Sequence, residues 1–227
     1  MTRDPAPASE RLQLYSYWRS SAAYRVRIGL NLKGLRYETT PVHLLRGGGE
    51  QHAAPFRDAN PQGLVPVLQH GDRRMRQSVA ILEYLDETWP SPPLLPVGAR
   101  ERQRVRALAQ VIACDVHPLN NLRVLQYFEH TWGVPQAERE VWVRHWVADG
   151  FAAIEAMLAD HPSTGRFCEG DMPTIADCCL IPQVYNARRF DVDLSPYPTI
   201  QRIDAACVAL PAFDLARPEL QPDAPPQ

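Results

Sequence analysis

The clearest indication of the fold comes from residues 12–34, LQLYSYWRSSAAYRVRIGLNLKG. Leu12 and Leu14 lie two residues apart with a polar residue between them, which is typical of a strand. Further along, Val26 and Leu30 follow at helical spacing. The sequence therefore predicts that a strand passes directly into a helix within this stretch.

The break between the two patterns places two serines at the predicted helix start. Ser20 or Ser21 would lie where backbone N–H groups have no intrahelical partner and where the helix dipole is positive. Such a position favours an anion, for example a thiolate, a phosphate or a carboxylate. The alternative interpretation is that one of the serines only caps the helix.

Length, composition and charge limit the classes of function. The 227 residues, 45% of them hydrophobic, suffice for two modest cores, and we expect two domains. A net charge of −2 and a pI near 6.4 exclude nucleic acid and anionic membrane as expected partners. Neither a secretory signal nor a membrane-spanning apolar run is visible, so we expect a soluble, cytoplasmic protein.

The five cysteines predict neither a disulfide framework nor a metal site. Their number is odd and they form no C-x-x-C pair. We expect them to be small buried side chains of the core. They are Cys114, Cys168, Cys178, Cys179 and Cys207.

The N-terminal part has the pattern of an α/β unit of about 80 residues. Its strands are predicted over residues 11–17, 37–42, 63–68 and 73–76. Pro41 predicts that the second strand lies at a sheet edge. A short helix is expected over residues 56–60, and a longer one after Gln77 with Ser78 as its N-cap.

Four prolines between residues 90 and 96 mark a boundary, and the rest of the chain has helical spacing. The apolar spacing from Val105 to Val116 predicts a long helix, which Pro118 bends and which continues towards Phe128. Another helix is expected to end near Leu158. Thr174 and Asp177 have the spacing of a capping box at a helix start, with a structural rather than catalytic role.

Four motifs, in this order, resemble the zeta class of glutathione transferases. They are YSYWRSS with RVRI (residues 15–21 and 25–28), NPQGLVP (60–66), QS (77–78) and PTIAD (173–177). The likeness covers about residues 12–222, and residues 182–198 are similar to the maleylacetoacetate and maleylpyruvate isomerases of this class.

The resemblance implies an α/β plus all-α fold. A thioredoxin-like domain that binds glutathione would span residues 11–93, and an all-helical substrate domain would span residues 98–222. It also implies a homodimer and glutathione as the cofactor.

The same resemblance makes Ser20 the residue that donates to the glutathione sulfur, with Ser21 as the alternative. A hydroxyl donor and a helix N-terminus both favour the thiolate, which is the nucleophile. The chain departs from many relatives at Ala22, where they carry a cysteine. This departure argues against thiol-transferase chemistry, which needs a protein thiol beside the bound sulfur.

Other parts of glutathione are assigned by the same motifs. Val65, before a cis-Pro66, would pair its backbone with the cysteinyl residue, as an added strand would. Gln77 and Ser78 would bind the γ-glutamyl carboxylate at a helix N-terminus. Gln51 would help to hold the glycyl end.

The implied substrates are dicarboxylates, which arginine side chains bind in bidentate fashion. An alternative interpretation treats most of the arginines as solvated surface. His117 would polarise the substrate enolate or only satisfy the bend. The candidates are Arg19, Arg123, Arg188 and Arg189, together with His117 and Asn121.

We therefore predict a glutathione-dependent cis–trans isomerase of maleylacetoacetate or maleylpyruvate in the catabolism of tyrosine or other aromatic compounds. The first alternative is a general glutathione transferase that conjugates or dehalogenates small electrophiles. The second is a non-catalytic binding module of the same fold.

Overall fold

The computed structural model describes residues 11–226, which form two compact units. The second unit is Pro93–Leu210, and the first contains the chain on either side of it. The strands are β1 (Leu12–Ser16), β2 (Glu38–Pro41), β3 (Val67–His70) and β4 (Arg73–Arg76). The helices are α1 (Ser21–Leu32), α2 (Ala54–Ala59), α3 (Ser78–Thr88), α4 (Ala99–Gln110), α5 (Leu122–Trp132), α6 (Gln136–Leu158), α7 (Ile175–Arg189), α8 (Pro198–Val208) and α9 (Pro211–Asp214).

The first unit is built on a four-stranded mixed sheet of order β2-β1-β3-β4. β1 runs parallel to β2 and antiparallel to β3, and β4 is antiparallel to β3. β2 lies at an edge, as Pro41 predicted. This βαβ-then-ββα order confirms the thioredoxin-like fold expected for the N-terminal domain.

The core of this unit lies between β1 and the helices α1 and α3. Seven buried apolar residues form it: Leu12, Leu14, Val26, Leu30, Leu68, Ile81 and Leu85. Gly29 permits the close approach of α1 to α3, because a Cβ there would lie 2.2 Å from Cδ2 of Leu82. Lys33 is buried, and its ammonium group binds Asp86 Oδ1 at 2.7 Å.

Two local predictions in this unit were wrong. The third strand begins at Val67 rather than at residue 63, because Pro66 has no N–H to donate to the ladder. Ser78 is the first residue of α3 rather than its N-cap; Gln77 occupies that position. The Ser78 hydroxyl instead accepts a hydrogen bond from a buried arginine, Arg25.

The second unit consists of helices α4 to α8, as the sequence predicted. The first of them does not simply bend, however. α4 is followed by a π-helical turn, Val111–Val116, in which the N–H of His117 donates to the carbonyl of Ile112 at 2.8 Å. The chain then breaks at Pro118, and Asn121 caps a new helix through its 3.1 Å bond from the N–H of Arg123.

The capping box predicted at the start of α7 is confirmed. The Asp177 carboxylate accepts from the N–H of Thr174 at 2.7 Å and from the N–H of Cys168 at 2.9 Å. Burial raises the pKa of the Asp177 carboxyl, although these hydrogen bonds lower it. All five cysteines are free, and all but Cys114 are buried.

The end of the chain differs from the predicted domain division. Residues 98–222 were predicted to form one helical domain, but the chain from Pro211 onward belongs to the first unit. A hydrogen bond holds this segment on α1, since Asn31 donates to the carbonyl of Ala212 at 2.9 Å.

No helix within residues 11–226 is long and apolar enough to cross a membrane.

Candidate active site

The turn between β1 and α1 presents the two predicted serines. Ser20 is the N-cap of α1, with extended backbone, and its Oγ accepts from the N–H of Ala23 at 3.2 Å. Its own N–H donates to the carbonyl of Tyr17 at 2.9 Å. The capping interpretation of Ser20 is therefore confirmed, and because the cap uses the oxygen as acceptor, it leaves the hydroxyl proton free to donate. Ser21 follows as the first helical residue.

The sheet brings the other predicted residues to the same edge. Tyr15 pairs with Val67 in antiparallel register, and Val67 pairs with Arg76. The end of β1, the start of β3 and the end of β4 therefore lie at one edge. α1 and α3 both begin there, so two helix N-termini with positive dipole ends serve this edge.

Val65 lies at this edge, next to the start of β3. Its peptide bond to Pro66 is cis, and its side chain packs in one cluster with Tyr17. Within the described part of the chain, neither backbone polar group of Val65 has a hydrogen-bond partner. A pair of unbonded backbone groups beside a strand is the arrangement that receives an extended peptide.

Asn60, a residue that the sequence analysis did not single out, shapes the loop before Val65. It is buried, its Nδ2 donates to the carbonyl of Leu64 at 2.7 Å, and its Oδ1 accepts from the N–H of Gln62 at 3.1 Å. These bonds close the turn on itself.

Gln51 is also buried, with its Nε2 bonded to the carbonyl of Leu44 at 3.3 Å. Its Oε1 has no partner among residues 11–226. The Gln51 carbonyl would lie 3.1 Å from a Cβ at Gly63, so Gln51 stands against the same loop.

Gln77 occupies an unusual backbone conformation at the start of α3. Its φ is +69°, a left-handed value that costs about 1–3 kcal/mol in a non-glycine residue and is common at ligand sites. Its side chain is tied to the loop by a 2.9 Å bond from Nε2 to Oε1 of Gln62. The adjacent Ser78 is buried and held by Arg25 Nη1 at 3.1 Å.

Arg19 adjoins the serines. Its guanidinium carbon lies 5.3 Å from the centre of the Trp18 ring, and the side chain is half-buried. No carboxylate of the described residues pairs with it. Its charge is therefore available to a ligand anion.

In the second unit, His117, Asn121 and Arg123 lie around the break after the π-helical turn. Asn121 Oδ1 accepts the N–H of Arg123, so its Nδ2 faces Nε2 of His117 at 3.3 Å. The amide donates here, which makes His117 Nε2 an acceptor and places the proton of a neutral ring on Nδ1. The Arg123 side chain is exposed.

The two arginines at the end of α7 differ. Arg188 forms an ion pair with Asp204, whose pKa burial raises and Arg188 lowers. The guanidinium carbon of Arg189 lies 4.4 Å from the centre of the Phe190 ring. Asn186 Oδ1, one turn earlier, accepts from Asn120 at 3.3 Å and so connects this end of α7 with the break after α4.

Comparison with known proteins places the chain in a family. Residues 14–93 match the family model described as the glutathione S-transferase N-terminal domain. The maleylacetoacetate isomerase of Rhizobium meliloti (strain 1021) is 52% identical over 207 residues, covering 91% of this chain and 95% of the relative.

Solved structures support the same family assignment. A maleylpyruvate isomerase described as a bacterial glutathione S-transferase of the zeta class has a TM-score of 0.91 and 51% identity, covering 94% of this chain and 100% of that one. A maleylacetoacetate isomerase from Methylobacterium extorquens AM1, solved with malonate and glutathione, has a TM-score of 0.90 and 44% identity, with 94% and 100% coverage. The chain belongs to the zeta class of glutathione transferases, the family of these isomerases.

Proposed function

We propose that the protein is a glutathione-dependent cis–trans isomerase that acts on maleylacetoacetate or maleylpyruvate in aromatic catabolism. The observation that carries this proposal is the edge of the sheet where Ser20, two helix N-termini and the unpaired backbone of Val65 meet. This edge offers a thiolate site and a peptide-pairing site side by side. Membership in the zeta class supports the choice of reaction.

The residues of this edge fit glutathione. Val65 offers one N–H and one carbonyl to the cysteinyl part, beside the cis Val65–Pro66 bond. Gln77 and Ser78 at the α3 N-terminus hold the γ-glutamyl carboxylate. Gln51, which is buried against the same loop, helps to hold the glycyl end.

When bound, glutathione supplies a thiolate that adds reversibly to the cis double bond, allows rotation about the resulting single bond and leaves the trans acid. Ser20 donates its hydroxyl proton to the sulfur, with Ser21 as the second candidate, and the α1 N-terminus adds its positive dipole. Both effects favour the thiolate over the thiol.

The substrate's carboxylates call for fixed cations. Arg19 and Arg123 serve this role in the proposal, and Arg189 is a further candidate. His117, with Asn121 beside it, polarises the enolate of the substrate in this proposal. Arg188 is the weaker choice because it already pairs with Asp204.

A rate assay tests the function. Purified protein is mixed with maleylpyruvate or with maleylacetoacetate, each with and without glutathione, and the loss of substrate absorbance is followed. We expect rapid, glutathione-dependent loss of at least one acid. Turnover of neither acid, with glutathione binding intact, would contradict the proposal and favour conjugation or dehalogenation, tested in parallel with an α-halo acid.

We also propose a homodimer in the cytoplasm, on the basis of the family resemblance. Size-exclusion chromatography with light scattering tests the first point: the expected mass is twice the 25.6 kDa of one chain. A monomeric mass at assay concentration would contradict it.

A further inference from the structure

The last part of the chain reaches the turn that carries Ser20. Asp223 Oδ2 accepts from the backbone N–H of Trp18 at 2.9 Å, a contact between residues 205 positions apart. The carbonyl of the same residue, Trp18, accepts from Nη2 of Arg27 at 3.0 Å. Two charged side chains thus hold both backbone polar groups of Trp18.

Arg27 is fully buried, and its guanidinium binds around this turn. A buried cation is costly unless its donors are satisfied. Nη1 donates to Ser16 Oγ at 3.1 Å and approaches the Tyr17 carbonyl at 3.5 Å, while Nε donates to the Ala216 carbonyl at 3.0 Å. The planar, forked guanidinium contacts three consecutive residues of the turn and one of the C-terminal segment, which a lysine ammonium could not do.

These contacts lead directly to Ser20. The Tyr17 carbonyl that Arg27 approaches also accepts the Ser20 N–H at 2.9 Å. Between the held residue, Trp18, and the α1 cap there is only Arg19. The position of the Ser20 hydroxyl is therefore set by Arg27 from inside the unit and by Asp223 from the C-terminal segment.

We propose that Arg27 and Asp223 are positioning residues that fix the Trp18–Ser20 turn so that the Ser20 hydroxyl meets the bound glutathione sulfur. The proposal rests on the proposed function for its ligand. It gives the C-terminal segment, which sequence patterns assigned to the helical domain, a role in the glutathione half of the site. Arg27 and Asp223 act through the turn and touch neither sulfur nor substrate.

The test compares two substitutions of Asp223. Asp223→Ala and Asp223→Asn both remove the negative charge, but only the amide oxygen of Asn can accept from the Trp18 N–H. The control is Asp214→Ala, because Asp214 lies in the same segment and pairs on the surface with Arg217, at 2.9 Å. The thiol pKa of bound glutathione is measured by thiolate absorbance against pH, along with kcat and KM.

We expect Asp223→Ala to have a bound thiol pKa higher than that of Asp223→Asn by about half a unit to one unit. Its kcat/KM should be lower by about tenfold, mainly through kcat, with the glutathione KM within about twofold. Asp223→Asn and Asp214→Ala should stay near the parent.

Equal thiol pKa and equal kcat/KM in Asp223→Ala and Asp223→Asn would overturn the proposal, even if Asp223→Ala melted at a lower temperature, because that result shows a purely structural contact. The pKa readout needs only glutathione binding. Failure of the parent to isomerise maleyl acids would thus count against the proposed function, while the pKa comparison would still decide the role of Asp223.

Discussion

Nη1 of Arg25 donates to Oγ of Ser78 at 3.1 Å, so a buried guanidinium of α1 holds the first residue of α3 at the predicted carboxylate site. Replacing Ser78 by alanine removes the hydroxyl proposed to bind the γ-glutamyl carboxylate and an acceptor of the buried Arg25 guanidinium. We expect Ser78→Ala to raise the glutathione KM by about tenfold with kcat nearly unchanged, since the γ-glutamyl end takes no part in bond changes.

The same substitution should lower the free energy of unfolding by about 1–2 kcal/mol, measured by urea denaturation. Ser78→Thr keeps the hydroxyl and serves as the control, with both quantities near the parent values. A Ser78→Ala enzyme with an unchanged glutathione KM would show that the carboxylate binds elsewhere.

Ser20→Ala addresses the choice between the two serines. If Ser20 donates to the sulfur, its loss should raise the bound thiol pKa and reduce kcat/KM by about 10²–10³-fold, as for other anion-stabilising donors. Ser21→Ala should change kcat/KM by less than about threefold. Steady-state kinetics and thiolate absorbance measure both effects.

The cap of α1 is a separate effect of the same residue, worth about 1 kcal/mol of stability. Ser20→Asp keeps the cap but cannot donate and repels a thiolate. It should be as inactive as Ser20→Ala yet more stable to urea. If Ser21→Ala loses the activity and Ser20→Ala keeps it, the sulfur contact belongs to Ser21.

Arg123 is exposed on α5, with no carboxylate partner among the described residues, which suits a role in binding the substrate. We expect Arg123→Met to lower kcat/KM for the dicarboxylate by about 10–100-fold, the effect of one charge-assisted contact, and to leave the glutathione KM unchanged. Arg100→Met, on the exposed start of α4, is the matched control. Equal kinetics for the two variants would place Arg123 on the solvated surface.

Asp177 should give stability a definite pH dependence. Because burial raises its folded-state pKa above the unfolded value, its contribution to the free energy of unfolding is largest below the unfolded pKa and is lost as pH rises through the folded pKa. The unfolding free energy of the parent minus that of Asp177→Asn should therefore decrease as pH rises above the ordinary aspartate pKa of about 4.

Asp193 provides the control of opposite sign. Hydrogen bonds from Ser195 lower the pKa of this exposed carboxyl, so its contribution is present above the unfolded pKa and is lost as pH falls through the folded pKa. Urea titrations of Asp177→Asn and Asp193→Asn at each pH should show opposite slopes. Parallel slopes would contradict the account of Asp177.

Much of the fold could be predicted because it follows from local patterns. The strand-to-helix junction at Ser20, the edge strand with Pro41 and the capping box of Thr174 and Asp177 each depend on residues close together in sequence. The break near Pro118 was less predictable, since whether a proline bends or ends a helix depends on the cap that follows it, here Asn121.

The contacts that complete the site could not be predicted from spacing. Arg25 and Arg27 would be solvated in most helices, but distant acceptors, among them Ser78 and the Trp18 turn, make their burial tolerable here. Asp223 meets Trp18 across 205 positions, a separation on which no local pattern bears. In the sequence, the one indication of buried arginines was that Arg25 and Arg27 flank Val26, which is itself buried.

In the proposed reaction, glutathione acts as a catalyst and is not consumed. The most direct test is proton NMR of a reaction with the maleyl acid in large excess over glutathione. If glutathione is a catalyst, we expect complete conversion to the fumaryl isomer, with free glutathione unchanged at the end. Turnover that stops after one equivalent of glutathione, with a thioether accumulating, would contradict it and identify a conjugating transferase.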